Sequence, residues 1–232
     1  MRITDTAIVL HLAKYSDKAS ILHLYTRSYG RMAYMVYGAG GKKRGEIYAA
    51  TEPFSLVEIE ATHAVGRDIQ TLNSVSMKYV PKQTLTDFRR RAVSVFLAET
   101  VYRTMRHPEP DEVLFDFFAS AVRGLDEASD PENFHLRFLL HYTRFLGIMP
   151  SIDEAGKMLD IATGLLVSPA DMDNCFSVDE TAMLMRLQGD EPLRFERAMR
   201  QSLLEKICLY YECHLTDFVS PKSIDVLRDV FD

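Results

Sequence analysis

Seven basic side chains between residues 14 and 44 are the part of this sequence best suited to bind a ligand. The chain carries 27 Lys and Arg against 33 Asp and Glu, a net charge of -6, yet this segment contains a single acid, Asp17. A patch of one charge sign attracts ligands of the other sign. The pattern therefore predicts a polyanionic partner, and the basic residues are Lys14, Lys18, Arg27, Arg31, Lys42, Lys43 and Arg44.

The last three of these cations follow a glycine-rich stretch, residues 38–41. Glycine lets the backbone come close to a phosphate, and Lys and Arg side chains bind phosphate oxygens. The stretch matches neither the G-x-x-x-x-G-K-[ST] phosphate loop nor a G-x-G-x-x-G fingerprint, so nothing here indicates nucleotide hydrolysis. A solvated hairpin tip that is basic for solubility is the alternative interpretation.

Tyrosines accompany the cations, since residues 15–48 hold six of the chain's eleven. Exposed aromatic rings beside basic groups stack on bases in single-strand binders. Alternation along a predicted strand over residues 31–37 places Tyr34 inside and Tyr37 outside, on the same face as Arg31. Tyr37 is the predicted stacking residue, and tyrosines that fill a barrel are the alternative.

The elements that position these residues are short strands, predicted over 6–12, 20–25, 31–37, 54–60 and 71–79. Five strands in so short a stretch leave no room for helical crossovers, and a five-stranded barrel of this size is commonly an OB-fold. We expect residues 1–80 to form an OB-fold domain that binds nucleic acid.

After Pro81 the apolar spacing changes from two residues to about 3.6, which indicates helices. In the first predicted helix, 84–106, Phe88 and Val95 are expected to point inward. Further helices are predicted from 110 to Gly124, 130–147, 177–189, 190–211 and 220–231. Residues 81–232 thus form an irregular helical domain with an insertion around 148–177, and the fold class is α+β.

The distribution of charge, the length of the apolar runs and the cysteine content indicate the cellular compartment of the protein. Residues 1–80 carry ten Lys or Arg and seven acids, whereas residues 81–232 carry seventeen and twenty-six. No apolar run approaches the roughly 18 residues of a membrane span. Three cysteines in 232 residues favour a reducing compartment without a disulfide framework. We expect a cytoplasmic, nucleoid-associated protein.

Three groups of motifs follow one another along the chain. They are residues 7–10, 15–18 and 21–27, with Gly30 and the basic residues after Ala39; residues 134–150; and residues 222–227. In order and spacing these groups resemble the barrel, the central helix and the C-terminal segment of the bacterial recombination-mediator family RecO. The resemblance implies a DNA repair protein without catalytic residues that binds single- and double-stranded DNA and anneals complementary strands. It also implies association with RecR and with single-strand-binding protein, so that recombinase can load.

The resemblance further implies a pocket in the helical domain for the acidic, Phe-ended tail of single-strand-binding protein. A cation beside apolar side chains would suit such a tail. The alternative is that all of the candidates except the arginine are ordinary core. The candidate residues are Arg137, Leu140, Leu203, Ile207 and Tyr211.

Many family members hold zinc with four cysteines after the central helix, whereas residues 148–177 of this chain contain only Cys175 and no histidine. A zinc site needs about four converging ligands. Cys208 and Cys213 lie roughly 140° apart around a helix, which favours buried thiols. We expect no metal and no cofactor.

Two other function classes stay open at this point. One is an OB-fold module that binds protein or oligosaccharide without a DNA role. The other is a nuclease or related phosphodiester enzyme, although no Ser, His and Asp arrangement shows a recognisable spacing. The sequence favours a binding protein over an enzyme.

Overall fold

A computed structural model of the chain describes residues 1–37, 47, 50–105, 109–168, 174–189, 191 and 193–231. The chain divides into two compact units, residues 1–127 and 128–232. The predicted boundary after residue 80 follows the change from strands to helices, whereas the compact units divide between Glu127 and Ala128. No helix in the described ranges is long and apolar enough to cross a membrane.

Five strands of the first unit close into a barrel with the order β1-β2-β3-β5-β4, as the OB-fold prediction requires. All neighbours pair antiparallel except β3 and β5, which are parallel. The strands are β1 (Arg2–Lys14), β2 (Ala19–Thr26), β3 (Gly30–Tyr37), β4 (Leu56–Thr62) and β5 (Ile69–Met77). The expected mixed α+β class is confirmed.

Alternate residues of these strands fill the barrel. Leu22 and Leu24 of β2, Tyr34 of β3, and Val57 and Ile59 of β4 are fully buried in one cluster. Side chains at every second position of a strand share a face. The other face of β1, β2 and β3 therefore points outward, and Tyr37 of the candidate site lies on it.

Two helices of the first unit lie wholly within the described residues: α1 (Phe88–Thr104) and α2 (Glu112–Glu127). Asp87 caps the start of helix α1, and its side chain accepts a hydrogen bond from the backbone N–H of Arg89. Helix α2 continues through Gly124, where the sequence predicted an end. Two predicted inward residues of α1 are exposed instead, Phe88 by 63% and Val95 by 38%.

The exposure of Val95 has a packing reason. Val95 lines a groove of about 850 Å³ together with His11 and Pro53, and α1 packs through other residues such as Phe96 and Val101, which are fully buried. The prediction was wrong because α1 is buried over most of its circumference, so its apolar residues form no single stripe.

A buried carboxylate in α2 fixes the segment that joins β5 to α1. Asp126 is 2% exposed and accepts hydrogen bonds from the backbone N–H groups of Lys82, Gln83 and Thr84, at 2.8–2.9 Å, and from the Tyr79 hydroxyl at 2.9 Å. Although burial favours the neutral acid, these donors hold the pKa of Asp126 well below its usual range. The carboxylate therefore ties the linker to the helix.

The second unit contains four helices among its described residues. They are α3 (Pro131–Phe145), α4 (Val178–Leu187), α5 (Arg197–His214) and α6 (Ile224–Phe231). The capping box predicted at Ser177 is confirmed, because Ser177 and Glu180 each accept the other's backbone N–H. Asp190 lies outside the described residues; α5 begins at Arg197, later than predicted, and α6 begins at Ile224 rather than Ser220.

The insertion around residues 148–177 contains a small antiparallel sheet that the sequence did not predict. Strand β6 (Met158–Asp160) lies between β7 (Leu166–Val167) and β8 (Cys175–Phe176). Strands of two or three residues are too short to show alternation, so their periodicity carries no signal.

Candidate nucleic-acid interface

Four residues with exposed side chains lie at the end of the barrel where β1 turns into β2. Lys14 ends β1, Tyr15 and Lys18 lie in the turn, and Ala19 at the start of β2 pairs with Tyr37 at the end of β3. We call Lys14, Tyr15, Lys18 and Tyr37 the hairpin rim. The rim brings together three of the predicted DNA-binding residues, Lys14, Lys18 and Tyr37.

The two rim cations are available to a ligand. Lys14 Nζ lies 2.9 Å from Asp17 Oδ1, but the two side chains are 74% and 94% exposed. An exposed ion pair contributes only about 0–1 kcal/mol, so a phosphate can replace the carboxylate. The Lys18 side chain forms no hydrogen bond or ion pair within the described part of the chain.

The other two predicted cations of the barrel lie at its opposite end. Arg27 follows Thr26, the last residue of β2, and Arg31 lies opposite Tyr25. An eight-residue strand spans about 23 Å, so these arginines are far from the rim. The sequence prediction grouped the rim lysines with these arginines because their residue numbers are close, but the two pairs do not form one patch.

Arg27 is engaged by helix α2. Its two guanidinium nitrogens donate to the Asp116 carboxylate at 2.7 and 3.3 Å, and the guanidinium lies 5.2 Å from the centre of the Phe115 ring. A planar arginine suits both contacts, because its fork matches a carboxylate and its face stacks on an aromatic ring.

Arg31 is engaged by the end of helix α1. It donates to the carbonyl oxygens of Tyr102, at 3.1 Å, and Met105, and its guanidinium lies 4.4 Å from the centre of the Tyr102 ring. The last carbonyl groups of a helix have no partner within the helix, and a cation there is favourable. Arg31 therefore caps α1 and holds it on the barrel.

Two tyrosines of β3 follow the predicted alternation. Tyr34 is fully buried and its hydroxyl lies 3.0 Å from Nε2 of His63, whereas Tyr37 is 66% exposed. Burial raises the pKa of Tyr34 and lowers that of His63, so both stay neutral at physiological pH. Lys42, Lys43 and Arg44 lie outside the described residues, and their role stays a prediction.

The predicted partner-binding set of the second unit is mostly core. Leu140, Leu203, Ile207 and Tyr211 are at most 5% exposed, and the Tyr211 hydroxyl donates to the carbonyl oxygen of Leu139 at 2.7 Å. Arg137 is only partly buried and donates to the Glu191 carbonyl oxygen at 2.6 Å. A partner could therefore reach only Arg137 of this set without opening the unit.

No group of three or more His, Cys, Asp or Glu side chains in the described ranges is arranged to hold a metal ion. Cys175 and Cys208 are buried, and Cys213 is exposed. Burial raises the pKa of the Cys208 thiol to about 12. A thiol with so high a pKa stays protonated at physiological pH.

The sequence did not predict the barrel rings that contact α1. His11 and His23 have their ring centroids 6.1 Å apart, and Tyr102 lies 5.0 and 5.1 Å from them. Burial, and then the nearby Arg31 and His11, lower the pKa of His23. Alternation places His23 on the outer face but His11 inside with Val9, and a β-bulge between Val9 and His11 turns His11 outward. Only the position of α1 shows which ring contacts the two histidines.

Comparison with known proteins agrees with the fold. The N-terminal model of recombination protein O matches residues 1–80, and the C-terminal model matches residues 85–220. A protein of Porphyromonas gingivalis named DNA repair protein RecO is 32% identical over 245 residues, covering all of both chains. Proteins of the same name from Phocaeicola vulgatus, 32% identical with 97% of each chain covered, and Flavobacterium johnsoniae, 31% identical with both chains fully covered, are similar. Two models that together span nearly the whole chain, and relatives aligned from end to end, show that the chain belongs to the RecO family of DNA repair proteins.

Proposed function

We propose that this protein is a recombination mediator that works in the cytoplasm by binding DNA rather than by catalysis. The observation that carries the proposal is the hairpin rim, where two exposed lysines and two exposed tyrosines meet on the barrel of a RecO-family protein. Lysines bind phosphate without reading sequence, so the rim accepts single- and double-stranded DNA of any sequence.

Annealing follows from charge neutralisation. Two complementary strands repel each other through their phosphates, and a protein that binds several phosphates releases the counterions condensed on them. The rim lysines, with Lys42, Lys43 and Arg44, lower that repulsion and hold one strand while the second pairs. RecR and the tail of single-strand-binding protein are the proposed partners of the second unit, which lets recombinase load on coated strands.

A salt titration of oligonucleotide binding tests the DNA-binding surface. Lys18→Glu should lower the affinity. It should also make the plot of log affinity against log salt less steep, by about 0.7 for each single-strand phosphate that the variant no longer neutralises. Replacing Lys42, Lys43 and Arg44 together by Glu should reduce the steepness of this plot by about 2. Fluorescence anisotropy with a labelled oligonucleotide measures both.

Arg67→Glu is the matched control. Arg67 is exposed in the loop between β4 and β5, at the barrel end away from the rim, and its side chain forms no hydrogen bond or ion pair within the described residues. The variant changes the net charge as much as Lys18→Glu does but should leave the slope nearly unchanged. Equal losses in both would contradict the rim assignment. Tight, salt-independent binding of a neutral oligosaccharide would favour the module without a DNA role.

A further inference from the structure

Two tyrosines of the rim are exposed without a structural reason. Tyr15 and Tyr37 are each 66% exposed, and neither side chain contacts another ring or forms a hydrogen bond within the described residues. Other tyrosines of the barrel differ. Tyr34 is bonded to His63, and the buried Tyr25 hydroxyl accepts the backbone N–H of Asp111. Folding therefore explains Tyr25 and Tyr34 but not the rim pair.

The backbones of the two tyrosines lie on either side of one small residue. The N–H of Tyr15 donates to the Ala19 carbonyl oxygen at 3.1 Å, and Ala19 pairs with Tyr37. Adjacent strands are about 4.8 Å apart, so the backbones of Tyr15 and Tyr37 are separated by roughly 10 Å. Ala19, the residue between them, has only a methyl side chain.

The outer face behind the rings is apolar. Ala13, Ile21 and Met35 are cross-strand neighbours, one from each of β1, β2 and β3, and all three are only partly buried. The face of strands 2 and 3, with the loop between strands 1 and 2, is where OB-folds bind oligomeric ligands. The single acid of residues 6–45 is Asp17, so charge on this face favours an anion.

We propose that Tyr15 and Tyr37 stack on two unpaired bases of single-stranded nucleic acid, so that the rim distinguishes a single strand from a duplex. This inference rests on the proposed DNA-binding function and deepens it. Consecutive bases of a duplex strand are stacked 3.4 Å apart and paired, which leaves no free base face, so neither ring can stack on them without opening the helix. The lysines contact phosphates in either case, and only a single strand gains the stacking.

Base stacking on the rim tyrosines also affects annealing. A base that stacks on a tyrosine must leave the ring to join a duplex, since the ring occupies the place of a neighbouring base. The product then keeps only its phosphate contacts and binds more weakly than the single strand. The rim therefore releases the strand as it becomes paired.

Binding of two oligonucleotides of about 16 residues tests the proposal, one of thymidines and one of abasic sites with the same phosphates. The variant with both Tyr15→Leu and Tyr37→Leu should lose about 30-fold in affinity for the thymidine oligomer, roughly fivefold per ring. Its affinity for the abasic oligomer and its salt slope should match the unsubstituted protein, because the lysines still bind the same phosphates. The variant with both Tyr15→Phe and Tyr37→Phe keeps the rings and should bind as the unsubstituted protein does.

Phe88→Leu is the control, since Phe88 is an equally exposed ring on α1. It should leave both affinities unchanged. Unchanged affinity of the double leucine variant for thymidines, or an equal loss on the abasic oligomer, would overturn the stacking assignment. A phenylalanine variant as weak as the leucine variant would also overturn it. Failure of the unsubstituted protein to bind either oligomer would instead overturn the proposed function, and the stacking assignment with it.

Discussion

Strand β2 has two predicted DNA-binding cations near each of its ends, and the two pairs differ in what they contact. Lys14 and Lys18, near Ala19, are exposed and weakly paired. Arg27 and Arg31, near Thr26, are bonded to α2 and α1. The difference in residue type fits the difference in role, because arginine can bond and stack at once while lysine remains a hydrated point charge.

A count of basic residues in the sequence therefore overestimates a nucleic-acid interface. Arg27 and Arg31 lie within the basic segment of the sequence, yet their partners are Asp116 and Tyr102, far along the chain. Variants that separate anchored charges from exposed ones test this difference.

The largest effect is expected at Asp126, the most fully bonded charge described in the first unit. Asp126→Asn keeps the shape but turns an oxygen that accepts backbone N–H groups into an amide donor. Unpaired buried donors cost about 1–3 kcal/mol each, so we expect a loss of about 3 kcal/mol or more in unfolding free energy. Chemical denaturation measures it. Asp116→Asn in the same helix, where the aspartate is 60% exposed, should cost at most about 1 kcal/mol.

The pH dependence of Asp126 has a definite sign. Its pKa is lowered in the folded protein, so its contribution is complete above the ordinary aspartate pKa of about 3.9 and is lost as pH falls toward the folded value. The stability difference between the unsubstituted protein and Asp126→Asn should therefore shrink below about pH 4. A difference that stays constant down to the most acidic pH at which the protein is folded would contradict the role assigned to this carboxylate.

The second prediction compares the two barrel ends directly. Arg31→Met removes a charged donor from two carbonyl groups and a cation from a ring, and should cost about 2–3 kcal/mol of stability while leaving the salt slope of DNA binding unchanged. Lys18→Met should do the reverse, with a stability change within about 0.5 kcal/mol. Denaturation and anisotropy on both variants measure the contrast. A lower salt slope in Arg31→Met would show that the anchored end also binds phosphate.

The barrel was predictable from sequence because its strands are long enough to alternate. The five predicted strands correspond to β1–β5, and Tyr34 and Tyr37 follow the expected faces. The roles of Arg27 and Arg31 were not predictable, because they depend on helices that pack back onto the barrel. Sequence spacing gives the face of a strand but not what covers it.

The second unit was less predictable for a related reason. Leu203, Ile207 and Tyr211 recur at helical spacing, and such a stripe has the same pattern whether it lines an open pocket or fills a core. The structure shows core. Only Arg137, partly buried among apolar residues of α3, carried a signal that the sequence could separate from packing.

The third prediction asks whether an arginine that already has a partner can still bind a ligand. Arg137 donates to a backbone carbonyl oxygen, which is a weaker partner than a carboxylate. Arg137→Ala should weaken binding of a peptide with the tail sequence of single-strand-binding protein by about 1.5–3 kcal/mol, measured by calorimetry, and should leave DNA binding nearly unchanged. Equal losses for peptide and DNA would assign Arg137 to the fold or the DNA surface, and an unchanged peptide affinity would remove it from the partner site.

The last prediction concerns the thiols of the second unit, and for it we expect no change in stability when metal ions are removed. Cys208 is buried with a raised pKa, Cys213 is exposed, and Nε2 of the neighbouring His214 lies 2.9 Å from the Ile161 carbonyl oxygen. A metal that binds only the folded state raises its stability, so removing one would lower the thermal midpoint. We expect the midpoint to be the same with and without chelator, and elemental analysis of the purified protein to find no zinc. Near-stoichiometric zinc that survives dialysis would contradict this expectation and would require Cys208, Cys213 and His214 to turn toward one another, a rearrangement that the hydrogen bond of His214 opposes.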